Sequence, residues 1–175
     1  YVRAFCSGYG HIMDKEGNVI LKLGEQLVPH GQELRVADFD SEMPGPEMII
    51  RYNGHKPDAM LVNNNGTVVN RYQLNESPNN TGMTEIYWNG HGKPALLFNG
   101  GVLWRGNGQL FAELPDLPPP VGNKKMGWYH CIPANACGDD REEIITYNPW
   151  DKYIYIFTPA PLKKARFERY NPGSR

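Results

Sequence analysis

The sequence predicts an all-β chain, a β-propeller fragment of about three and a half four-stranded blades. Three observations lead to it. Glycine (19) and proline (15) are abundant among 175 residues, with 16 asparagines beside them, a composition that breaks helices and supplies turns. Short apolar runs alternate with period two between those turns, as in Tyr153-Ile154-Tyr155-Ile156-Phe157-Thr158, the pattern of half-buried strands. These runs also recur at a fixed spacing, which is the mark of a repeat architecture.

Taken in order, Asp14-Lys15-Glu16-Gly17-Asn18-Val19-Ile20 is a polar turn closing on glycine and opening into a β-branched pair. Asn63-Asn64-Asn65-Gly66-Thr67-Val68-Val69 is the same unit 49 residues later. A second set comprises Pro46-Glu47-Met48-Ile49-Ile50, Pro94-Ala95-Leu96-Leu97-Phe98 and Glu142-Glu143-Ile144-Ile145-Thr146, at spacings of 48. Upstream of each, a strand runs into a polar loop: Val36–Asp40, Ile86–Gly90 and Trp128–Cys131. A repeat near 48 residues with about four short strands is a propeller blade. The chain holds about 3.6 such repeats, under the usual minimum of about four for a ring. It divides into a partial blade (1–30), two blades (31–80 and 81–122) and an incomplete one (123–175), all of one domain. The ring is therefore expected not to close on itself. The chain reads as a section of a larger propeller, its remaining blades carried by a longer parent chain; blades from another chain are the alternative.

Charge narrows the partners. Eighteen Lys and Arg face nineteen Asp and Glu, which leaves no basic footprint for nucleic acid. The longest apolar runs are about four residues, as at Ala95–Phe98, far short of a membrane span. Cys131 and Cys137 bracket Ile132-Pro133-Ala134-Asn135-Ala136, and a short disulfide loop is the expectation, with Cys6 left over. Three Asn-x-Ser/Thr sequons begin at Asn65, Asn75 and Asn79, where chance pairing of 16 Asn with 9 Ser or Thr gives about one. Disulfide and sequons together point to a secreted glycoprotein.

The stretch Gly138-Asp139-Asp140-Arg141-Glu142-Glu143-Ile144-Ile145, followed by Tyr153–Thr158, resembles the last-blade signature of the secreted β-propeller rhamnogalacturonan lyases, polysaccharide lyase family eleven. Val36-Ala37-Asp38-Phe39-Asp40 with Pro44-Gly45-Pro46-Glu47 is similar to that family's strand, acidic loop and strand unit. The resemblance spans residues 30 to 170. It implies C-terminal blades of a secreted lyase that cleaves a rhamnose- and uronate-containing cell-wall polysaccharide by β-elimination. Asn89-Gly90-His91-Gly92 departs from the pattern, because the middle blade lacks acidic ligands there.

β-Elimination needs a base for the proton α to the sugar carboxylate and a positive group to neutralise that carboxylate. Tyr52, His55 and Lys56 supply base types in one loop; Tyr147, Trp150 and Lys152 supply sugar-stacking and cationic groups in the equivalent loop of the last blade. Asp38 and Asp40 at alternate positions, with Glu47 seven residues on, suit calcium; the plain alternative is an acidic turn capping its own N–H groups. A catalytically silent carbohydrate-binding or adhesion propeller is the alternative to an enzyme.

Overall fold

The computed structural model describes residues 4–6, 8–117, 130–147 and 152–159. The described residues form four antiparallel sheets and no helix. Strands β1 (Ala4–Cys6), β2 (His11–Met13) and β3 (Val19–Lys22) make sheet 1. Sheet 2 holds β4 (Glu33–Ala37), β5 (Glu47–Arg51), β6 (Asp58–Val62) and β7 (Val68–Gln73). Sheet 3 holds β8 (Thr84–Ile86), β9 (Leu96–Asn99), β10 (Val102–Trp104) and β11 (Leu110–Glu113). Sheet 4 holds β12 (His130–Ala134), β13 (Glu143–Tyr147) and β14 (Ile154–Phe157). Strands that follow one another in sequence lie side by side, so each sheet is a blade-like meander.

The third-to-fourth-strand turn recurs three times. In Asp14–Asn18, Asn63–Thr67 and Arg105–Gln109 the first N–H donates to the last carbonyl, and the glycine N–H donates back to the first carbonyl. Asp14 Oδ1 and Asn63 Oδ1 each also accept two N–H groups of their own turn. This equivalence makes the three strands of sheet 1 correspond to the second, third and fourth strands of sheets 2 and 3. Since a meander reverses at every turn, first-to-second and third-to-fourth turns share one end of the sheets, here the turn end. Second-to-third turns and the links between sheets share the other, the linker end.

Gly17 and Gly108 sit at positive φ, +87° and +83°, a region that costs other residues about 1–2 kcal/mol. A Cβ on Gly17 would meet nothing within 4 Å, whereas one on Gly108 would lie 2.4 Å from Cγ of the Tyr72 ring on the preceding sheet. Gly17→Ala is therefore expected to lose only the conformational term, and Gly108→Ala about 1–3 kcal/mol more for the displaced ring. Urea unfolding of the two variants compares them, and equal losses would remove the ring contact from the account.

Three apolar clusters lie between successive sheets. Ile12 and Val28 pack with Met48, Ile50, Met60 and Val62 between sheets 1 and 2. Ile49 and Leu61 meet Met83, Ala95 and Leu97 between sheets 2 and 3, and Leu96, Phe98 and Leu103 meet Ile144 between sheets 3 and 4. Each strand thus shows alternate residues to the preceding and the following sheet.

That alternation corrects the repeat register. Ala37 pairs with Glu47 at the turn end of sheet 2, and Ile86 pairs with Leu96 at that of sheet 3. The residue equivalent to Met48 is therefore Leu97, not Leu96: both face the preceding sheet, while Ile49 and Phe98 both face the following one. In sheet 4 the pair is Ala134 and Glu143, which makes Ile144 the match of Met48, as its 96-residue spacing suggests. The residue of sheet 3 equivalent to Glu47 is Leu96, and Ala95 belongs to the turn.

Candidate functional site

At the linker end, the second-to-third turn of sheet 2 carries Tyr52, His55 and Lys56. The link from sheet 1 runs alongside it: His30 N–H donates to Tyr52 O (3.1 Å), and Gly54 N–H donates to His30 O (2.8 Å). The His30 and His55 rings meet edge to face with centroids 5.9 Å apart. Gln32 Nε2 lies 3.1 Å from His30 Nε2, so the link orients the ring that faces His55. His55 and Lys56 are exposed. Tyr52 instead packs into the cluster between sheets 1 and 2, with the Arg71 guanidinium 5.7 Å from its ring centroid.

Tyr147 ends β13, exposed, its ring 5.6 Å from that of His130; these residues are cross-strand partners. Lys152 precedes β14 and is exposed, and Trp150 lies outside the described residues. The two loops share the linker end, as the meander requires, but sheet 3 stands between them. They form two separate clusters.

The sequence did not single out His30 or His130 for this end of the molecule. His30 lies 25 residues before His55 and His130 lies 17 before Tyr147, in patterns that match no ligand or catalytic motif. The only sequence signal was their position at the entry to a first strand.

The turn end is built differently. Glu47 is fully buried, and its Oε2 accepts the N–H groups of Phe39 (2.8 Å) and Asp40 (3.0 Å). Burial pushes the Glu47 carboxyl above the ordinary glutamate range, with Asp38 adding to the rise and the two N–H groups opposing it. Glu143 repeats the arrangement on sheet 4, its Oε2 accepting Ala136 N–H (2.6 Å) and Cys137 N–H (3.0 Å). Sheet 3 has Leu96 at that position, and there Glu142 reaches across from sheet 4 to accept Tyr87 N–H at 2.8 Å. The other oxygen of both Glu47 and Glu143 is buried without a partner.

Asp40 Oδ1 accepts the Glu42 N–H within its own turn (3.1 Å). Asp40 and Glu42 line a cleft of about 310 Å³ with Asn89, Arg105 and Asn107, whereas Asp38 lines another of about 460 Å³ with Gly45, Pro46 and Tyr87. Among the described residues no three His, Cys, Asp or Glu side chains converge as metal ligands would. Asp38, Asp40 and Glu47 form a capped acidic turn that faces two clefts.

The expected disulfide is corrected: Cys131 and Cys137 are free thiols. Cys131 packs beside the cluster between sheets 3 and 4, where burial pushes its thiol up to about 12. Cys137 lies in the turn beyond Ala134, its thiol raised first by burial and then by Glu143. Cys131 lies inside β12, opposite Thr146, whereas Cys137 lies past the strand end in the turn held by Glu143.

Asn65, Asn75 and Asn79 are all exposed. The Asn75 amide, the nitrogen a glycan would occupy, donates to Gly100 O at 3.2 Å. Among the described residues no helix is long and apolar enough to cross a membrane. No protein-family model matches the chain, and neither a curated protein nor a solved structure does.

Proposed function

We propose that this chain is part of a secreted polysaccharide lyase of the rhamnogalacturonan type, cleaving a rhamnose- and uronate-containing wall polymer by β-elimination. Two features support it: the likeness of Gly138–Ile145 to the last-blade signature of that family, and the exposed His55 and Lys56 on a blade-like sheet at the linker end. The second is the observation that carries it. The His55 imidazole takes the proton α to the uronate carboxylate, with His30 packed edge to face against it. The Lys56 ammonium offsets the carboxylate charge while the carbanion forms. Electrons then close to a carbon–carbon double bond as the bond to the neighbouring glycosidic oxygen breaks, and that oxygen takes a proton from solvent water as it leaves. Tyr147 and Lys152 hold more distant sugar units, and further blades from outside the four sheets complete the groove.

Calcium enters the proposal as an ion of the Asp38–Glu47 turn. The donors do not fit it as they stand, because Oε2 of Glu47 is committed to N–H groups and Asp38 and Asp40 line different clefts. No step is routed through a metal. A turn rebuilt around calcium would show as a melting point that rises in excess calcium and falls in EDTA, by the equivalent of about 2.7 kcal/mol at 100 times the dissociation constant.

The second reading, a carbohydrate-binding propeller without chemistry, is favoured by the turn-end cleft. Its Asp40, Glu42, Asn89, Arg105 and Asn107 are carboxylate, amide and guanidinium groups suited to sugar hydroxyls.

Ultraviolet absorbance of the unsaturated uronate product, with pectic polymers as substrate, separates the two. His55→Ala is expected to lower the rate about 10²–10⁴-fold, the usual worth of a general base. Because His55 is exposed, the urea midpoint should move by no more than about 0.5 kcal/mol equivalent. Polymer binding without product in the unmodified chain would leave the binding reading in its place.

A further inference from the structure

The three interfaces between sheets share one construction. The following-side face of one sheet, Ile49 and Leu61 on sheet 2 or Phe98 and Leu103 on sheet 3, meets the preceding-side face of the next. These four side chains are at most 1% exposed. The equivalent residues of sheet 4 are Ile145 on β13 and its cross-strand partner Ile156 on β14. Ile156 is 60% exposed, and on the same face Ile154 is 68% and Ile132 50% exposed. Among the described residues nothing covers this face.

Sheet 1 has the complementary opening. Ile12 and Leu21 turn toward sheet 2, so their strand neighbours His11 and Met13, with partners Lys22 and Val19, form its preceding-side face. No sheet stands before it among the described residues, and Val19 is exposed. The described residues thus leave one uncovered face of each kind, the two halves of one more interface of the type they already make three times.

We propose that these faces meet between two copies of this chain, sheet 4 of one docking on sheet 1 of the other. The contact joins two different surfaces, so two copies can make it twice and close a ring. Such a ring has eight sheets, within the four to eight blades of propellers. The inference rests on the sheets alone and does not depend on the lyase proposal. Burial of the Ile132, Ile154 and Ile156 patch supplies the drive, because apolar area is what the second copy removes from water.

Sedimentation velocity of residues 1–175 over a wide concentration range is expected to show a species of twice the chain's mass. Ile154→Lys with Ile156→Lys breaks one face and Val19→Lys breaks the other; all three sites are exposed, and circular dichroism with melting checks that both variants fold. Each variant alone should remain monomeric. An equimolar mixture should recover a dimer, because one intact sheet 4 then meets one intact sheet 1. A monomer at every concentration in the unmodified chain would overturn the proposal and leave the face to another occupant, such as a blade of a longer polypeptide. A Val19→Lys variant that still dimerises would also overturn it, since sheet 4 would then be pairing with itself.

Discussion

Arg51→Ala is expected to cost the fold about 2–5 kcal/mol, because two carbonyls of the link lose a charged donor at about 1–3 kcal/mol each. Arg51 ends β5 with no exposed surface. Its Nη1 donates to Glu76 O (2.9 Å) and its Nη2 to Thr81 O (3.2 Å). One guanidinium thereby ties the core strand of sheet 2 to the link leading into sheet 3. Nε lies 3.3 Å from Glu33 Oε2 but makes no hydrogen bond there, so this contact is charge attraction alone. Burial works against the guanidinium's charge, and Glu33 offsets it. Removing Arg51 would take the guanidinium from both carbonyls, while Glu33 keeps Arg35 and the Met83 N–H. Arg51→Lys keeps the charge but not the fork that reaches two carbonyls, and should fall between the two. Urea unfolding measures all three, and a loss below about 1 kcal/mol in Arg51→Ala would mean that the link holds without it.

The second large effect is at Glu47. Glu47→Ala would orphan the Phe39 and Asp40 N–H groups, at about 1–3 kcal/mol for each that stays buried. Glu47→Gln keeps an acceptor and removes the charge, which allows the pH dependence to be read. Burial raises the Glu47 pKa in the folded state. The folded chain therefore holds its proton more tightly than the unfolded one, and this group's contribution to stability falls as pH rises from the ordinary glutamate range through the raised value. Urea midpoints of the unmodified chain, relative to Glu47→Gln, should accordingly decline from mildly acid pH toward neutrality. A difference that grows instead would mean that the two N–H groups outweigh burial and hold the carboxylate ionised.

Much of the architecture was legible beforehand because it is local. The turn at Asn63–Thr67 needs glycine at positive φ and a side-chain oxygen for its own N–H groups, and both requirements are written within five residues. The candidate site was legible only in part. His55 and Lys56 stand in the expected turn, exposed, but Tyr52 is drawn into the cluster beneath because its strand position faces sheet 1. His30 reaches His55 through a link between sheets, and no spacing encodes that. The cysteines are close in sequence but sit in different settings, Cys131 within β12 and Cys137 in the turn beyond Ala134.

By itself the sequence determined an all-β chain with a blade-length repeat, since glycine turns and period-two alternation act within a few residues. Tertiary structure alone decided the phase of that repeat. Spacings of 48 and 49 residues are equally good matches of apolar letters around Leu96 and Leu97, both of which are buried. Side chains alternate across a strand, so a slip of one residue exchanges the faces turned to the preceding and following sheets. Only the packing of Leu97 against sheet 2 and of Leu96 against sheet 4 settles which is which. The same phase turns Ile154 and Ile156 outward on the last sheet, where their counterparts on earlier sheets meet a neighbour.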